Sequence, residues 1–199
     1  MEIIGPIQFK TVVKERKLLF WDIETTGLDY TKDRITCIAM VDMEKSNPGW
    51  VFCHEDERLL LEAFLKTLKS FGDCRLYGWN VYKFDLPFVL ARCMHHNLDA
   101  YFFLNECMHE DLKNVCPINP KEKRKLSLDE FAKFLGIKGK TLSGLDAVYL
   151  WEMRVFNYPD MIKMLEDYCL NDAKLVREIF EKIADLTMFD MEDDTNGGN

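Results

Sequence analysis

The first strongly patterned segment is Lys17–Thr25, in which both faces of an extended chain begin apolar. Side chains alternate between the two faces of a strand, so this pattern predicts an interior strand that is covered on both sides. One of these faces ends on a pair of acids, Asp22 and Glu24. Buried carboxylates are costly without a positive partner, and a divalent cation is the simplest partner because hard cations prefer carboxylate oxygen.

The rest of the hydrophobic pattern predicts strands first and then a mixture of strands and helices. Segments 35–43 and 50–54 predict an antiparallel meander with the first strand, since Asn47-Pro48-Gly49 marks a turn between them. This order predicts an α/β fold, with a central mixed β-sheet whose first three strands are antiparallel and with flanking α-helices. The other predicted strands cover residues 74–78 and 100–104, the predicted helices cover 56–71, 85–96, 127–135, 142–155 and 159–186, and irregular chain covers 105–125.

Length and composition indicate one globular domain. With 199 residues, 48% of them hydrophobic and 30% charged, the chain is long enough to bury a sizeable core. We expect residues 1–187 to form this domain and residues 188–199, which are acidic and rich in Gly and Asn, to form a disordered tail. No apolar run is long enough to cross a bilayer and no signal peptide is recognisable, so the sequence predicts an intracellular protein, cytoplasmic, or nuclear in a eukaryote.

The net charge of −8 argues against a broad nucleic-acid-binding surface. It does not exclude an enzyme that holds a strand end through metal ions, because bound cations reverse the charge of an acidic site locally. The seven cysteines are odd in number and form no CxxC motif, which favours reduced buried thiols over a disulfide framework. Cysteines and histidines between residues 93 and 116 leave a structural zinc site open, although their spacing matches no common zinc pattern.

The last predicted helix carries an acid within its apolar stripe. Asp172 lies three to four residues from apolar members of the stripe on either side, and a carboxylate on a core-facing side needs a partner. Tyr168 precedes Asp172 by four residues, so both side chains share one face of the helix. The core-facing position of this pair is more informative than its spacing, because acids are frequent in this chain.

The junction from Gly78 to Phe88 follows a predicted strand and enters a predicted helix. Asp85 stands near the start of that helix, where an acid is also explained as an N-cap. Asn80 alone is explained as a turn residue, and Phe84 as a core residue. The three elements give an ordered set: Asp-x-Glu on the first strand, Asn-x-x-x-Phe-Asp at the junction and Tyr-x-x-x-Asp on the last helix.

This ordered set resembles the motifs of 3′–5′ exonucleases of the ribonuclease-H-like (DnaQ-like) superfamily, in the four-acid branch that uses a tyrosine (DEDDy). The sequences Phe20-Trp21-Asp22-Ile23-Glu24-Thr25 and Phe84-Asp85-Leu86-Pro87-Phe88 are most similar to the proofreading domains of family B DNA polymerases and to their stand-alone relatives. The resemblance spans about residues 17–187. The sister branch has a histidine five residues before its last acid, and this chain has Asp167 there.

The resemblance implies a ribonuclease-H-like fold and hydrolysis at the 3′ end of single-stranded nucleic acid, with DNA favoured, releasing nucleoside 5′-monophosphates. Two divalent ions, Mg²⁺ or Mn²⁺, are the implied cofactors. By the resemblance, Asp22 bridges both ions. Glu24 and Asp172 then hold the ion that activates water, and Asp85 holds the other. Tyr168 orients the attacking water rather than acting as the base, since the ordinary pKa of tyrosine is about 10.

The resemblance also implies substrate-binding residues after the acid pair and at the junction. Thr25, Thr26 and Leu28 are expected to hold the terminal sugar and base, with simple packing as the alternative for Leu28. Asn80 and Phe84 are expected to contact the second nucleotide by a hydrogen bond and by stacking. Two further groups are Asp111, as a residue behind the acids, and the basic residues of 121–125, as phosphate contacts or as a solvated loop.

The implied partner is the 3′ end of a single strand, with replication or repair proteins as further partners, no membrane, and a monomer as the favoured state. Three functions stay open: a DNA exonuclease, an RNA-trimming exonuclease, and a non-catalytic protein that binds nucleic acid or scaffolds a replication or repair complex. Loss of any of the four acids would favour the last of these, and none is lost. DNA and RNA differ by the 2′-hydroxyl, whose contacts the sequence does not locate.

Overall fold

Five strands form the mixed sheet at the centre of the fold: β1 (Lys17–Thr25), β2 (Ile35–Asp42), β3 (Trp50–Cys53), β4 (Cys74–Gly78) and β5 (Cys107–Asp111). The computed structural model describes residues 16–140 and 143–192, except for the side chains of residues 158 and 186–192. The sheet order is β3-β2-β1-β4-β5. β1, β2 and β3 pair antiparallel, whereas β4 is parallel to β1 and to β5. The predicted α/β fold is therefore confirmed.

Helices cover both faces of this sheet: α1 (Glu57–Phe71), α2 (Asp85–His95), α3 (Leu128–Phe134), α4 (Gly144–Met153) and α5 (Tyr158–Glu192). Local signals explain where several of them begin and end. The Asp56 side chain accepts the first free N–H groups of α1, and Gly72 takes a φ of 71° after its last turn. Ser127 and Glu130 form a capping box that begins α3.

Two hydrophobic cores lie on opposite faces of the sheet, because β1 is apolar on both faces. Phe20 belongs to the core that α3, α4 and α5 cover. Trp21 belongs to the core that α1 and α2 cover. Both side chains are at most 1% exposed. Asp22 and Glu24 continue the Phe20 face, so burial of this strand brings both acids against α5.

One predicted strand is wrong. The sequence predicts a strand over residues 100–104, but Phe102–Glu106 is a π-helix and β5 follows it. A short apolar run fits a buried helix as well as a strand, and Phe103 is fully buried against α1 and α2. β5, a 3₁₀ turn at Leu112–Asn114 and a small hairpin of β6 (Ile118–Asn119) with β7 (Arg124–Lys125) all fall in the segment predicted to be irregular.

The predicted helix boundaries agree with the structure to within a few residues, except at the end of α5. That helix continues to Glu192, beyond the predicted end near residue 186 and into the predicted tail. Residue 142, the predicted start of α4, and residues 193–199 of the predicted tail lie outside the described residues. Among the described residues, none of the helices combines the length and apolarity needed to cross a bilayer.

Candidate active site

Two acids at the end of β1 lie against α5. The pairing register of β1 with β2 becomes irregular between Glu24 and Thr25, so the regular strand ends at this pair. The thiol of Cys169, on α5, donates to the carbonyl oxygen of Asp22 at 3.5 Å. One carboxylate oxygen each of Asp22 and Glu24 and the sulfur of Cys169 lie within 4.8 Å of one another. The end of β1 therefore places two carboxylates against α5.

Asp172 and Tyr168 meet these acids from α5, as their shared helix face predicts. Asp172 is 2% exposed and Tyr168 is 5% exposed. The Tyr168 hydroxyl donates a hydrogen bond to the Asp172 carboxylate. Repulsion by Asp172 raises the pKa of both Asp22 and Glu24, after burial itself. The structure thus brings these four sequence-predicted residues together.

Asp85 reaches the same site from the first residue of α2. The residue that precedes this helix is Phe84, which makes no side-chain cap, so the N-cap explanation of Asp85 is wrong. The buried Asp85 carboxylate instead accepts hydrogen bonds from its own N–H and from the N–H of Ile23, the residue between the two acids of β1. The start of α2 is therefore tied to the acid pair.

Burial raises the pKa of all four carboxyls, and desolvation is the largest cause at each of them. The pKa of Asp22 lies well above its ordinary value, with repulsion from Asp172 and Glu24 adding to burial. The pKa of Glu24 rises to about 8, with Asp172 adding to burial. The pKa of Asp85 rises to about 7, with burial again first and Asp111 contributing. The fold therefore holds four acids where positive charge is scarce.

Lys140 belongs to the site, and the sequence analysis missed it. Its amino group donates to the Asp172 carboxylate and, at 3.4 Å, contacts the Tyr168 hydroxyl. Its backbone N–H donates to Asp129 Oδ1 at 2.8 Å, which fixes the loop after α3. Burial disfavours the ammonium form, but Asp22 and Asp172 outweigh burial and raise the pKa of Lys140. Lys140 therefore brings a permanent positive charge to the site.

No pattern in the sequence marks Lys140. It belongs to the run Lys138-Gly139-Lys140, in which both lysines look alike. Only the packing of this loop distinguishes them: a Cβ added to Gly139 would come within 2.5 Å of the Lys133 side chain, so a glycine lets the loop lie close to α3. The position of Lys140 thus follows from tertiary contacts.

The segment after the acid pair is a loop that its own side chains brace. Thr25 Oγ1 donates to the carbonyl oxygen two residues further on, at 2.6 Å. Thr26 Oγ1 donates to Asp33 Oδ1 at 3.2 Å, and the Thr26 N–H donates to the carbonyl of Arg34 at 3.0 Å. Leu28 is 84% exposed, so the packing alternative for Leu28 is wrong.

Asn80 and Phe84 lie on the turn that leads into α2. Asn80 has a φ of 68°, which agrees with its interpretation as a turn residue. Its N–H donates to Asp111 Oδ1 at 2.8 Å, so Asp111 lies behind the junction as expected. Phe84 is half-buried and packs on Phe88 with ring centroids 5.4 Å apart, which agrees in part with its interpretation as a core residue.

The donor set of the site fits divalent cations of the Mg²⁺ class. Four carboxyls supply the hard oxygen ligands that such ions prefer. The Glu24 side chain is buried, and within the described part of the chain its only hydrogen-bond partner is another acid, Asp22. The alternative zinc site is not formed, because the cysteines and histidines of residues 93–116, all of which are described, do not assemble into a group of ligands.

Comparison with known proteins gives a family and a fold. The family model of the RNase H superfamily matches residues 19–184. A DNA polymerase catalytic subunit of Elephantid herpesvirus 1 is 34% identical to this chain over 58 residues, which are 28% of this chain and 6% of the viral protein. The family B DNA polymerase of the hyperthermophilic archaeon Pyrobaculum calidifontis has a similar structure, with a TM-score of 0.67 at 20% identity over 86% of this chain. The match covers 25% of that polymerase, so the chain spans only a small part of either relative.

Proposed function

The chain belongs to the RNase H superfamily, and on that premise we propose that it is a metal-dependent 3′–5′ exonuclease. Its substrate is the 3′ end of single-stranded nucleic acid, and its products are nucleoside 5′-monophosphates. The similarity of 58 residues to a DNA polymerase subunit favours DNA over RNA. One observation carries the proposal: four carboxyls from three separate elements share one electrostatic site, namely Asp22, which is half-buried, and Glu24, Asp85 and Asp172, which are buried.

The resemblance to the exonuclease motifs assigns these carboxyls to two ions. Asp22, Glu24 and Asp172 would hold one divalent ion, and Asp22 and Asp85 would hold the other. Such ions, Mg²⁺ or Mn²⁺, supply an activated nucleophile and stabilise the charge of the transition state when they are bound. Positive charge at this position would also favour the ionised carboxylates, whose pKa values burial and, at Asp22 and Glu24, mutual repulsion keep high.

Tyr168 and Lys140 act beside these carboxyls. Burial, with Asp172 next, raises the pKa of Tyr168, so its hydroxyl keeps its proton and serves as a hydrogen-bond partner for the attacking water rather than as a base. The Lys140 ammonium lies against Asp172 and is fixed through the backbone bond to Asp129. A fixed positive charge in a buried site stabilises negative charge that develops on the phosphate.

The loop after β1 is the proposed binding site of the terminal nucleotide. Leu28 offers an exposed apolar side chain to the terminal base. The Thr26 N–H is already bonded to Arg34, so Thr26 holds the loop in shape rather than donating this N–H to a sugar. Thr25 braces the same loop through its hydroxyl. Asn80 and Phe84 precede Asp85 on the turn into α2 and would contact the second nucleotide.

A cleavage time course on 5′-labelled single-stranded DNA and RNA of matched sequence tests the proposal. With Mg²⁺ or Mn²⁺ we expect a ladder that shortens from the 3′ end, faster on DNA, and that disappears in EDTA. Asp22→Asn should abolish the ladder, because both proposed ion sites use that carboxylate. Asp167→Asn is the matched control, because Asp167 is an exposed acid of α5 paired with Lys163.

Two results would contradict the proposal. A ladder that persists in Asp22→Asn would mean that the acid group does not perform the hydrolysis. Absence of any ladder with the wild-type chain, on either polymer and with binding retained, would instead indicate a protein that binds nucleic acid without cleaving it.

A further inference from the structure

A cationic cavity of about 470 Å³ lies beside the junction that leads to Asp85. Three parts of the chain line it: the turn before α2, the 3₁₀ turn after β5, and β7 with the residues that follow it. Its charged side chains are Lys83, Lys113, Arg124, Lys125 and Asp111. Four cations against one carboxylate are a local reversal of charge in a chain whose net charge is −8.

Two of these cations are engaged in holding the cavity wall. Arg124 forms ion pairs with Glu122 at 2.6 Å and with Glu130 at 2.7 Å. The Lys125 amino group donates to two carbonyl oxygens of the 3₁₀ turn, at 2.9 and 3.0 Å. These contacts bond the hairpin to the 3₁₀ turn and to α3 at the edge of the cavity.

The other two cations keep free donors. Neither Lys83 nor Lys113 forms an ion pair with an acid within residues 16–140 and 143–192. The Lys113 amino group donates one hydrogen bond, to Asn80 Oδ1 at 3.1 Å, and an ammonium has three donors. The Lys83 side chain is exposed. Both amino groups are therefore available to an anion in the cavity.

Asn80 connects this cavity to the acid site. Its N–H is held by Asp111, and its carbonyl oxygen accepts the N–H groups of Lys83 at 3.0 Å and Phe84 at 3.1 Å. Phe84 is followed directly by Asp85. A strand that is bound with its 3′ end at the acids and extends over this turn would meet the two lysines.

We propose that this cavity binds a phosphodiester group of the substrate strand, upstream of the 3′-terminal nucleotide, through Lys83 and Lys113. The inference rests on the proposed exonuclease function and deepens it: the preferred substrate is a strand of several nucleotides rather than a single nucleotide. Free ammonium donors suit phosphate oxygens, and the contact is to the backbone, so it serves DNA and RNA alike. Lys121 and Lys123, for which the sequence leaves phosphate contact and a solvated loop open, do not line the cavity.

The binding test uses oligothymidylate and oligouridylate of about twelve nucleotides, labelled with fluorescein, by fluorescence anisotropy in EDTA over a range of salt concentrations. It compares Lys83→Ala/Lys113→Gln with Lys66→Ala/Lys69→Ala, which removes two exposed lysines of α1 for the same change of net charge. In the cavity variant we expect weaker binding and a slope of log affinity against log salt that is shallower by about 1.4, or about 0.7 for each lost phosphate contact. Circular dichroism confirms that both variants fold.

An unchanged slope in the cavity variant would overturn the proposal, and so would an equal loss in the α1 variant. A loss on both polymers supports a phosphate contact, whereas a loss confined to one polymer would mean that the lysines read the sugar, and the proposal fails.

A hydrolysis test separates this inference from the proposed function. Thymidine 5′-p-nitrophenyl phosphate carries one nucleotide and does not extend past the acid site. In the cavity variant we expect kcat/KM to fall further for the oligonucleotide than for this ester, through KM. Equal losses on both substrates would overturn the inference, since the lysines would then act on the acid site itself. If the wild-type chain cleaves neither substrate, the exonuclease function fails, while the salt slope still decides whether the cavity binds the strand.

Discussion

Replacement of Glu24 by glutamine should stabilise the metal-free protein at neutral and alkaline pH, because the buried carboxylate opposes folding. The pKa of Glu24 is about 8 in the folded chain, against 4.5 for an ordinary glutamate. An acid with a higher pKa in the folded state binds its proton more tightly when folded. The free energy of unfolding therefore falls as the pH rises from 4.5 towards 8. Above that range, the stability that the protonated Glu24 contributes is lost in full.

The size of this effect follows from the two pKa values. Each pKa unit corresponds to about 1.36 kcal/mol, so the difference between about 8 and 4.5 amounts to about 5 kcal/mol above pH 8. At pH 7 the same two values give a loss of about 3 kcal/mol. Glu24 is 8% exposed, so water screens little of this cost. Glutamine keeps the shape of the side chain and carries no charge at any of these pH values.

Urea denaturation in EDTA, at intervals from about pH 4 to about pH 9, measures the effect. Wild type and Glu24→Gln should agree in stability at the acid end and diverge as the pH rises, with the variant the more stable. Glu152→Gln, which changes an exposed glutamate of α4, should follow the wild type throughout. Added Mg²⁺ should stabilise the wild type more than Glu24→Gln, because ligand binding adds to folded-state stability. Parallel curves for wild type and Glu24→Gln would refute the reasoning.

Three further substitutions test other parts of the structure. Arg92→Met should lower the free energy of unfolding in urea by about 3–5 kcal/mol, because it removes the arginine that pairs with the buried Glu57 at 2.6 Å. A decrease of less than about 1 kcal/mol would contradict this. Tyr168→Phe should slow hydrolysis while Mg²⁺ still raises the melting temperature, and an unchanged rate would mean that the hydroxyl only packs. Lys140→Met should lower the rate of hydrolysis and move the acid limb of the pH–rate profile to higher pH, because Lys140 lowers the pKa values of Glu24 and Asp172. An acid limb that does not move would show that the ammonium does not act on these acids.

Much of the fold and three of the four acids follow from the sequence, because each of these acids interrupts an apolar pattern. Asp22 and Glu24 end a strand that is apolar on both faces, and Asp172 falls in the apolar stripe of α5. A carboxylate in such a place can be recognised from the sequence, because the repeat of the strand or helix predicts which face its side chain is on. Asp85 is different, because the first residue of a helix is an ordinary place for an acid. Only the hydrogen bond that its carboxylate accepts from the N–H of Ile23 distinguishes Asp85 from such an ordinary acid.

The features that the sequence did not predict depend on contacts between distant segments. Lys140 is one of two similar lysines in a loop, and only its packing brings it to Asp172. The basic run at 121–125 suggests phosphate contacts, but Arg124 is paired with Glu130 of α3 and Lys125 is bonded to the 3₁₀ turn, and the lysines with free donors in the cavity come from other segments. β5 was missed because a short edge strand is only half-covered and carries no clear alternation.

The same protein contains a buried acid that is fully paired, and the contrast with the candidate active site is informative. Glu57 accepts hydrogen bonds from Arg92, from His96 and from the backbone N–H of Ile35. Burial opposes its ionisation, but these donors outweigh burial and hold the pKa of Glu57 below its usual value. Glu24 is about as deeply buried and has no such donor among the described residues, so its pKa rises.

This fold can therefore satisfy a buried carboxylate with its own side chains. At the site, by contrast, the described residues bring one ammonium, that of Lys140, to four carboxyls. Apolar residues of similar size would cost less to bury than these acids, so the acids do not serve stability. Under the proposed function, divalent cations that bind between them account for their presence as a group with Tyr168 against them.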